Sequence, residues 1–286
     1  PFPSFFLIFF SRLPNCIFLV VNQMKWAISE RIEYIWQQTS IFLQMIISDK
    51  YRYVFIELPL TASTAVAKEL IENYDGRQII NKHANYRKFL KVASEDQKKY
   101  FSFAGVRNPL DKAVSHYFKY VSDHKNKYSE PPKKPGAVNP LKYFIDHSVH
   151  QKKFKFVQEN DASFSEFFMQ FYNIPYSDWS LLDHKKMDSV IFFEDVANGF
   201  EKTINKMGIT PVRPLPQNNR TSLKEKVFWD YFDTSESQIK AAQIFGPYMK
   251  YWDYKFPSEW TVDDHVNDKE SSYAFYNFIK QIYWSL

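Results

Sequence analysis

The sequence contains little cysteine and little glycine. Cys16 is the only cysteine in 286 residues, which excludes an internal disulfide and a cysteine-rich zinc site. The single thiol points to a reducing compartment, or at least to independence from an oxidising one. With six glycines, the chain has neither the glycine pair nor the Gly-Lys-Ser/Thr ending of a Walker A loop, which counts against a P-loop kinase.

Uninterrupted apolar runs long enough to cross a membrane are also missing. Residues 1–23 are strongly apolar, but Arg12 and Pro14 interrupt them, whereas a clean span needs about 20 apolar residues. The chain begins with Pro1, and Met24 opens ordinary sequence, so we interpret this leader as upstream translation or part of a signal anchor. We expect a cytoplasmic protein, with tethering to a membrane through residues 1–23 as the alternative.

Charge and hydrophobicity are those of an ordinary globular protein. Apolar residues make up 45% and charged residues 24%, which disfavours wholesale disorder. The net charge of +5 favours an anionic ligand without requiring nucleic acid. Aromatic residues reach 19%, but they fall mostly at core spacings and form no base-stacking motif, so nucleic acid is not an expected partner.

Strands and helices alternate along the chain. Apolar spacing predicts a helix through Ser48, and short β-branched and aromatic runs predict strands at 52–58, 78–80, 100–106 and 189–193. This alternation predicts an α/β fold with a parallel central sheet, flanked by helices in three layers, and ligands at the carboxyl ends of the strands. We divide the chain into the leader 1–23, an N-terminal helix over 24–50 and one domain over 51–286.

The clearest helix start follows the strand at 100–106. Asn108 as cap, Pro109 at the first position and Asp111 at the third predict a helix to about residue 121. A capping-box pattern at residues 163–166 predicts a second helix, through residue 171.

Two strand-to-helix turns carry candidate binding residues. In the first, hydroxyls of Thr61, Ser63 and Thr64 surround a helix start, where they are expected to cap the helix and form an anion cradle. In the second, Arg107 ends a strand and Ser115 lies two helical turns further on, so both can share one phosphate. The alternatives are a capped helix without a ligand, and an Arg107 that pairs with Asp111 or caps a neighbouring helix.

Together these turns resemble those of the sulfotransferase family. Residues 59–64, Pro-Leu-Thr-Ala-Ser-Thr, are similar to its 5′-phosphosulfate loop, usually Pro-Lys-Thr-Gly-Gly/Ser/Thr-Thr. Residues 106–115, Val-Arg-Asn-Pro-x-x-Lys-x-x-Ser, are similar to its 3′-phosphate motif, and this match is the more specific. Residues 190–195 and 218–222 resemble its later strand and its late Asn-x-Ser segment. The carbohydrate and bacterial membrane-associated branches look closer than the cytosolic aryl branch.

The resemblance implies an enzyme with a P-loop-like sulfotransferase fold. Such an enzyme moves a sulfuryl group from 3′-phosphoadenosine 5′-phosphosulfate to a hydroxyl or amine of a carbohydrate-like or other small acceptor, without a metal. It also implies which residues hold the nucleotide: Thr61, Ala62, Ser63, Thr64 and Ala65 at the phosphosulfate, Arg107 and Ser115 at the 3′-phosphate, and Arg220 from the late segment. A membrane is an expected partner only if residues 1–23 are an anchor.

Leu60 departs from the family pattern. It stands where the family has a lysine that neutralises charge on the bridging oxygen, and loss of one such donor costs about 10²–10³ in rate. Another cation is then required, and the candidates are Lys68, Lys82 and Lys112. The alternative is a nucleotide-binding homologue with impaired catalysis. Ala62 and Ser63 replace family glycines, which is tolerable if φ stays negative there.

The general base on the acceptor side is His83 or Glu57, because either can follow a strand into the site. We favour His83. The alternatives are that His83 is a solvent-facing loop residue and that Glu57 pairs with Arg52 or a lysine. A basic, proline-rich loop at residues 125–134 either gathers an anionic acceptor or is a solvated face.

Overall fold

A five-stranded mixed sheet forms the centre of the computed structural model, which describes residues 45–80, 86–130, 140–178, 184–216 and 224–285. The strands are β1 Met45–Ser48, β2 Tyr53–Ile56, β3 Arg77–Ile80, β4 Phe101–Val106 and β5 Ser189–Phe192. Their order across the sheet is β3-β1-β2-β4-β5. Strands β2, β4 and β5 run parallel, and β1 is antiparallel to both of its neighbours.

Helices connect and cover these strands. Those described are α1 Ser63–Asn73, α2 Tyr86–Val92, α3 Pro109–Val121, α4 Pro140–Glu159, α5 Phe164–Phe171, α6 Val196–Lys206, α7 Ser235–Tyr251 and α8 Glu270–Ser285. Within the described ranges, none of them is both long enough and apolar enough to cross a membrane.

Alternate residues of the strands enter two separate apolar cores. In β2, Val54 and Ile56 pack with α3, α5 and α7, whereas Tyr53 and Phe55 pack with α1 and α6. Successive side chains of a strand point to opposite faces, so the sheet carries one core on each face. The predicted α/β fold, with helices on both faces of a sheet, is therefore confirmed.

The structure corrects the prediction for the segment before β2. Residues Met45–Ser48, the end of the predicted N-terminal helix, form β1; its earlier part and the leader 1–23 lie outside the described residues. Every residue of β1 is buried, with Met45 and Ile47 in one core and Ile46 in the other, so it lacks the polar alternation of a half-buried strand. A short turn joins β1 to β2, which makes them antiparallel and the sheet mixed.

The predicted helix starts of α3 and α5 are confirmed. The Asn108 side chain accepts a hydrogen bond from the Leu110 N–H, and Pro109 occupies the first position of α3. At α5, Ser163 and Glu166 form the reciprocal hydrogen bonds of a capping box. These signals are local, which is why the sequence alone places both helices.

Candidate functional site

The two strand-to-helix turns lie at the same edge of the sheet. Strands β2 and β4 are parallel neighbours, with Ile56 opposite Ala104, so both lead into their helices side by side. Gly105 lets the first turn approach β4 closely, because a Cβ added there would lie 2.8 Å from Thr61 Oγ1. The sheet thus brings the first turn into contact with the strand that carries Arg107.

The hydroxyls of the first turn do not cap α1, contrary to the sequence prediction. Thr61 Oγ1 and Ser63 Oγ donate to the Leu58 carbonyl, at 2.9 and 2.5 Å. The N-cap residue is Ala62, which makes no side-chain cap hydrogen bond. The hydroxyls instead tie the turn back to the end of its own strand.

The backbone of this turn is strained at two non-glycine residues. Leu60 has a φ of 63° and Ala62 a φ of 55°, so the family glycine position is left-handed in this chain. Such a residue costs about 1–2 kcal/mol in a conformation that glycine adopts freely. The condition of negative φ is therefore not met at Ala62.

The first turn of α1 retains backbone donors. The first hydrogen bond of this helix runs from the Ala65 N–H to the Ala62 carbonyl, at 2.9 Å. The N–H groups of Ser63 and Thr64 precede it, and the first N–H groups of a helix have no partner within the helix. With the positive end of the helix dipole, they form a site suited to an anion.

Arg107 joins the two turns. Its Nη1 donates to the Leu60 carbonyl at 3.0 Å, its Nη2 to Ser115 Oγ at 2.8 Å and its Nε to Asp111 Oδ2 at 2.8 Å. The guanidinium also stacks on Phe193, 3.9 Å from the ring centroid. Arg107 and Ser115 are thus in contact, and the pairing with Asp111 that was the alternative is present as well.

Lys224 is a further cation at this site that the sequence patterns did not reveal. Its Nζ contacts Asp111 Oδ1, so Asp111 lies between Lys224 and Arg107. Asp111 is only 4% exposed, and a carboxylate buried this deeply requires such partners. The available signal was that Lys224 lies two residues after the Asn-x-Ser segment at 218–222.

Glu194 and Tyr254 hold the start of α3. Glu194 Oε1 accepts from the Asn108 backbone N–H at 2.7 Å, and its Oε2 accepts from the Tyr254 hydroxyl at 2.9 Å. Burial, together with the adjacent carboxylate, raises the pKa of Tyr254 well above its ordinary value. Glu194 follows β5, so a third strand end contributes to the same edge.

Glu57 lies beneath the first turn. Its Oε1 is 3.3 Å from Thr64 Oγ1 and 3.5 Å from Ser63 Oγ, and its Oε2 is buried with no hydrogen-bond partner among the described residues. Burial raises the pKa of Glu57, although the two hydroxyls act in the opposite direction. The alternative in which Arg52 neutralises Glu57 is wrong, because Arg52 pairs with Asp96 at 2.7 Å.

The cations proposed to replace the loop lysine are not placed at the loop in the described part of the chain. Lys68 is exposed and lies 3.6 Å from Glu72, and Lys112 pairs with Asp178 at 2.5 Å. Lys82, the third candidate cation, lies outside the described residues. So do His83, the favoured candidate base, and Arg220, a candidate nucleotide-binding residue. No group of three or more His, Cys, Asp or Glu side chains within the described ranges is arranged to hold a metal ion.

A comparison with protein-family models identifies the class of protein that this fold and site define. The family model for the sulfotransferase family matches residues 43–245 of the sequence, a range that includes both turns and β5. This match covers more than half of the chain, so the protein belongs to the sulfotransferase family and is a sulfuryl transferase. A search of curated proteins and a search of solved structures found no match.

Proposed function

We propose that this sulfotransferase uses 3′-phosphoadenosine 5′-phosphosulfate as its donor and a hydroxyl or amine of a carbohydrate-like or other small molecule as its acceptor. The observation that carries this proposal is the position of Arg107, which contacts the backbone of the first turn and Ser115 of the second at once. A ligand with anionic groups at two ends matches such a pair of linked turns.

The first turn suits the phosphosulfate end of the donor. The N–H groups of Ser63 and Thr64 lie at the positive end of α1, and the exposed Thr64 adds a hydroxyl. During transfer, negative charge develops on the leaving phosphate, and fixed donors at that place lower the barrier. Donors held by the fold also need no reorganisation as the bond breaks.

The second turn suits the 3′-phosphate. Arg107 and Ser115 supply donors, and Lys224 supplies a second positive charge beside Asp111. A guanidinium binds phosphate through two parallel N–H groups, which gives direction as well as charge. Recognition of this phosphate distinguishes the activated donor from an ordinary adenine nucleotide.

The acceptor proton requires a base close to the first turn. In the transfer, a bond forms between sulfur and the acceptor oxygen or nitrogen, the bond from sulfur to the phosphate oxygen breaks, and the acceptor proton moves to the base. Glu57 lies beside Thr64, and burial holds its pKa above that of an exposed glutamate, as suits a general base. His83 is the other candidate for this role.

Calorimetry on variants of Arg107 tests the donor assignment. Arg107→Ala is expected to weaken binding of 3′-phosphoadenosine 5′-phosphate by about 1.5–3 kcal/mol, the value of a charge-assisted hydrogen bond. Binding of adenosine 5′-phosphate, which lacks the 3′-phosphate, is expected to change little. Arg77→Ala, which removes an exposed arginine paired with Asp49, is the matched control. Equal losses for both nucleotides in Arg107→Ala would contradict the assignment.

Transfer of radiolabelled sulfate to a panel of carbohydrate and small hydroxyl or amine acceptors tests catalysis. Turnover with any member of the panel supports the proposed reaction and identifies the acceptor class. Tight and selective binding of the desulfated nucleotide without transfer to any acceptor would favour the second function, a nucleotide-binding homologue. Leu60 in place of the loop lysine is the observation that motivates this second function.

A further inference from the structure

One face of α3 carries a series of basic side chains beyond the residues assigned above. Lys112, His116 and Lys119 follow one another at spacings of four and three, so they lie along the same face of the helix. Lys119 lies one turn beyond Ser115, which contacts Arg107. This face therefore extends from the proposed 3′-phosphate site along α3.

Lys119 differs from the other cations of the site in having no counter-charge. Lys112 pairs with Asp178, and Lys224 and Arg107 share Asp111. Among the residues that the structure describes, Lys119 makes no hydrogen bond or ion pair. Asp111 and Asp178 are thus both paired with other cations.

The charged groups that act on Lys119 are all positive. They are Lys127 from the turn after α3, Arg107 from the end of β4 and Lys112 from α3 itself. From α4, His150, which is neutral because its pKa is lowered to about 3, lies close enough to interact electrostatically with Lys119, and Lys153 acts on His116. Burial first, and then these cations, lower the pKa of Lys119 to about 8. An additional anion would relieve this repulsion.

We propose that Lys119 is a further nucleotide-binding residue, which supplies positive charge to the 3′-phosphate beyond Arg107 and Ser115. This inference rests on the proposed donor. Arg107 and Lys224 carry two positive charges, and Asp111 between them carries one negative charge, so one net positive charge remains. Lys119 supplies the second positive charge that matches a phosphate dianion. The cations that repel Lys119 in the free protein, Lys127, Arg107 and Lys112, would then also attract the bound phosphate.

Binding of the 3′-phosphate therefore depends on pH through Lys119. A bound dianion favours the charged ammonium and raises its pKa, so the complex takes up a proton above about pH 7. The affinity for a 3′-phosphorylated nucleotide falls as the pH rises through 8, where Lys119 of the free protein loses its charge. Affinity for a nucleotide that lacks this phosphate does not follow the same curve.

The experiment is calorimetry on the full chain between pH 6.5 and pH 9, with 3′-phosphoadenosine 5′-phosphate and with adenosine 5′-phosphate. Lys119→Met removes the charge and keeps the length of the side chain, and is expected to weaken binding of the 3′-phosphorylated nucleotide about ten-fold at pH 7. The affinity of Lys119→Met for the 3′-phosphorylated nucleotide should also no longer decline between pH 7 and pH 9. Lys155→Met, at an exposed position of α4, removes one charge elsewhere and is the control.

Lys119→Arg provides a second test that a merely structural role would not satisfy. Arginine stays charged at all these pH values, so this variant should retain the affinity and bind equally well at pH 7 and pH 9. An unchanged affinity and pH profile in Lys119→Met would overturn the inference while leaving the donor assignment intact. If the unaltered protein does not prefer the 3′-phosphorylated nucleotide, the proposed donor and this inference both fail.

Discussion

At the scale of single residues, Leu60 combines an unusual backbone with a missing charge. Its φ of 63° turns the chain so that its carbonyl accepts from Arg107 Nη1, at 3.0 Å. Its side chain offers no donor to a phosphosulfate. Arg107 donates to the backbone of Leu60 through Nη1, but its Nη2 and Nε contact Ser115 and Asp111 of the second turn. The loop therefore presents its anion with backbone N–H groups and the exposed Thr64, because the hydroxyls of Thr61 and Ser63 donate to the Leu58 carbonyl.

Replacement of Leu60 restores the family side chain. We expect Leu60→Lys to fold as the unaltered protein does and to raise the rate of sulfuryl transfer by about 10²–10³, because a fixed cation stabilises the leaving phosphate. The measurement is the turnover number with saturating donor, alongside thermal denaturation. Leu60→Met, which changes shape without adding charge, is the control. A lower rate in Leu60→Lys would show that another cation already occupies the place.

At the scale of secondary-structure elements, the contact between β4 and the first turn sets the geometry of the site. A Cβ at Gly105 would lie 2.8 Å from Thr61 Oγ1 and 2.9 Å from Thr61 Cβ, too close without displacement of the turn. We expect Gly105→Ala to lower the free energy of unfolding by about 1–3 kcal/mol and to weaken nucleotide binding. Denaturant unfolding and calorimetry measure the two effects.

Gly199→Ala separates displacement of the turn from the general effect of an added methyl group. Gly199 lies in α6, and the three atoms nearest to a Cβ there all belong to Ile191, with Cγ2 at 3.1 Å, and not to the first turn. Alanine is also the better helix former, by about 1 kcal/mol. Nucleotide affinity is therefore expected to stay unchanged in this control. Equal losses of affinity in both variants would show that the first turn does not depend on its contact with β4.

The elements that could be predicted from the sequence are those with local signals. The turn from β4 into α3 was predictable because Asn108 and Pro109 mark a helix start wherever the helix packs. β1 was missed because burial of both its faces in the two cores removes the alternation on which a strand prediction depends. The position of Lys224 beside Asp111 depends on packing between distant segments, which residue spacing does not encode.

At the scale of the whole molecule, basic groups concentrate where α3 packs against α4. His150 lies with its Nδ1 2.7 Å from the Tyr120 hydroxyl, and burial, followed by the charges of Lys153 and Lys127, lowers its pKa to about 3. The pKa of His116 is also lowered well below its ordinary value, chiefly by burial. This region therefore keeps its histidines neutral in the folded state and accepts protons readily only after unfolding.

Acid sensitivity follows from the sign of this shift. Between about pH 6.5 and pH 3 the unfolded chain protonates His150 and the folded chain does not, so stability falls as the pH falls, by at most about 1.4 kcal/mol per pH unit for one group. His150→Gln keeps a hydrogen-bonding group for Tyr120 and cannot be protonated, so its melting temperature should fall less between pH 7 and pH 5. His265→Gln, in a short turn before α8, is the control. The expected difference is a few degrees, measured by thermal denaturation at fixed ionic strength. Identical pH dependence of the melting temperature in both variants would mean that groups other than His150 cause the loss of stability in acid. Glu57 is not such a group, because its raised pKa makes the folded state more stable as the pH falls.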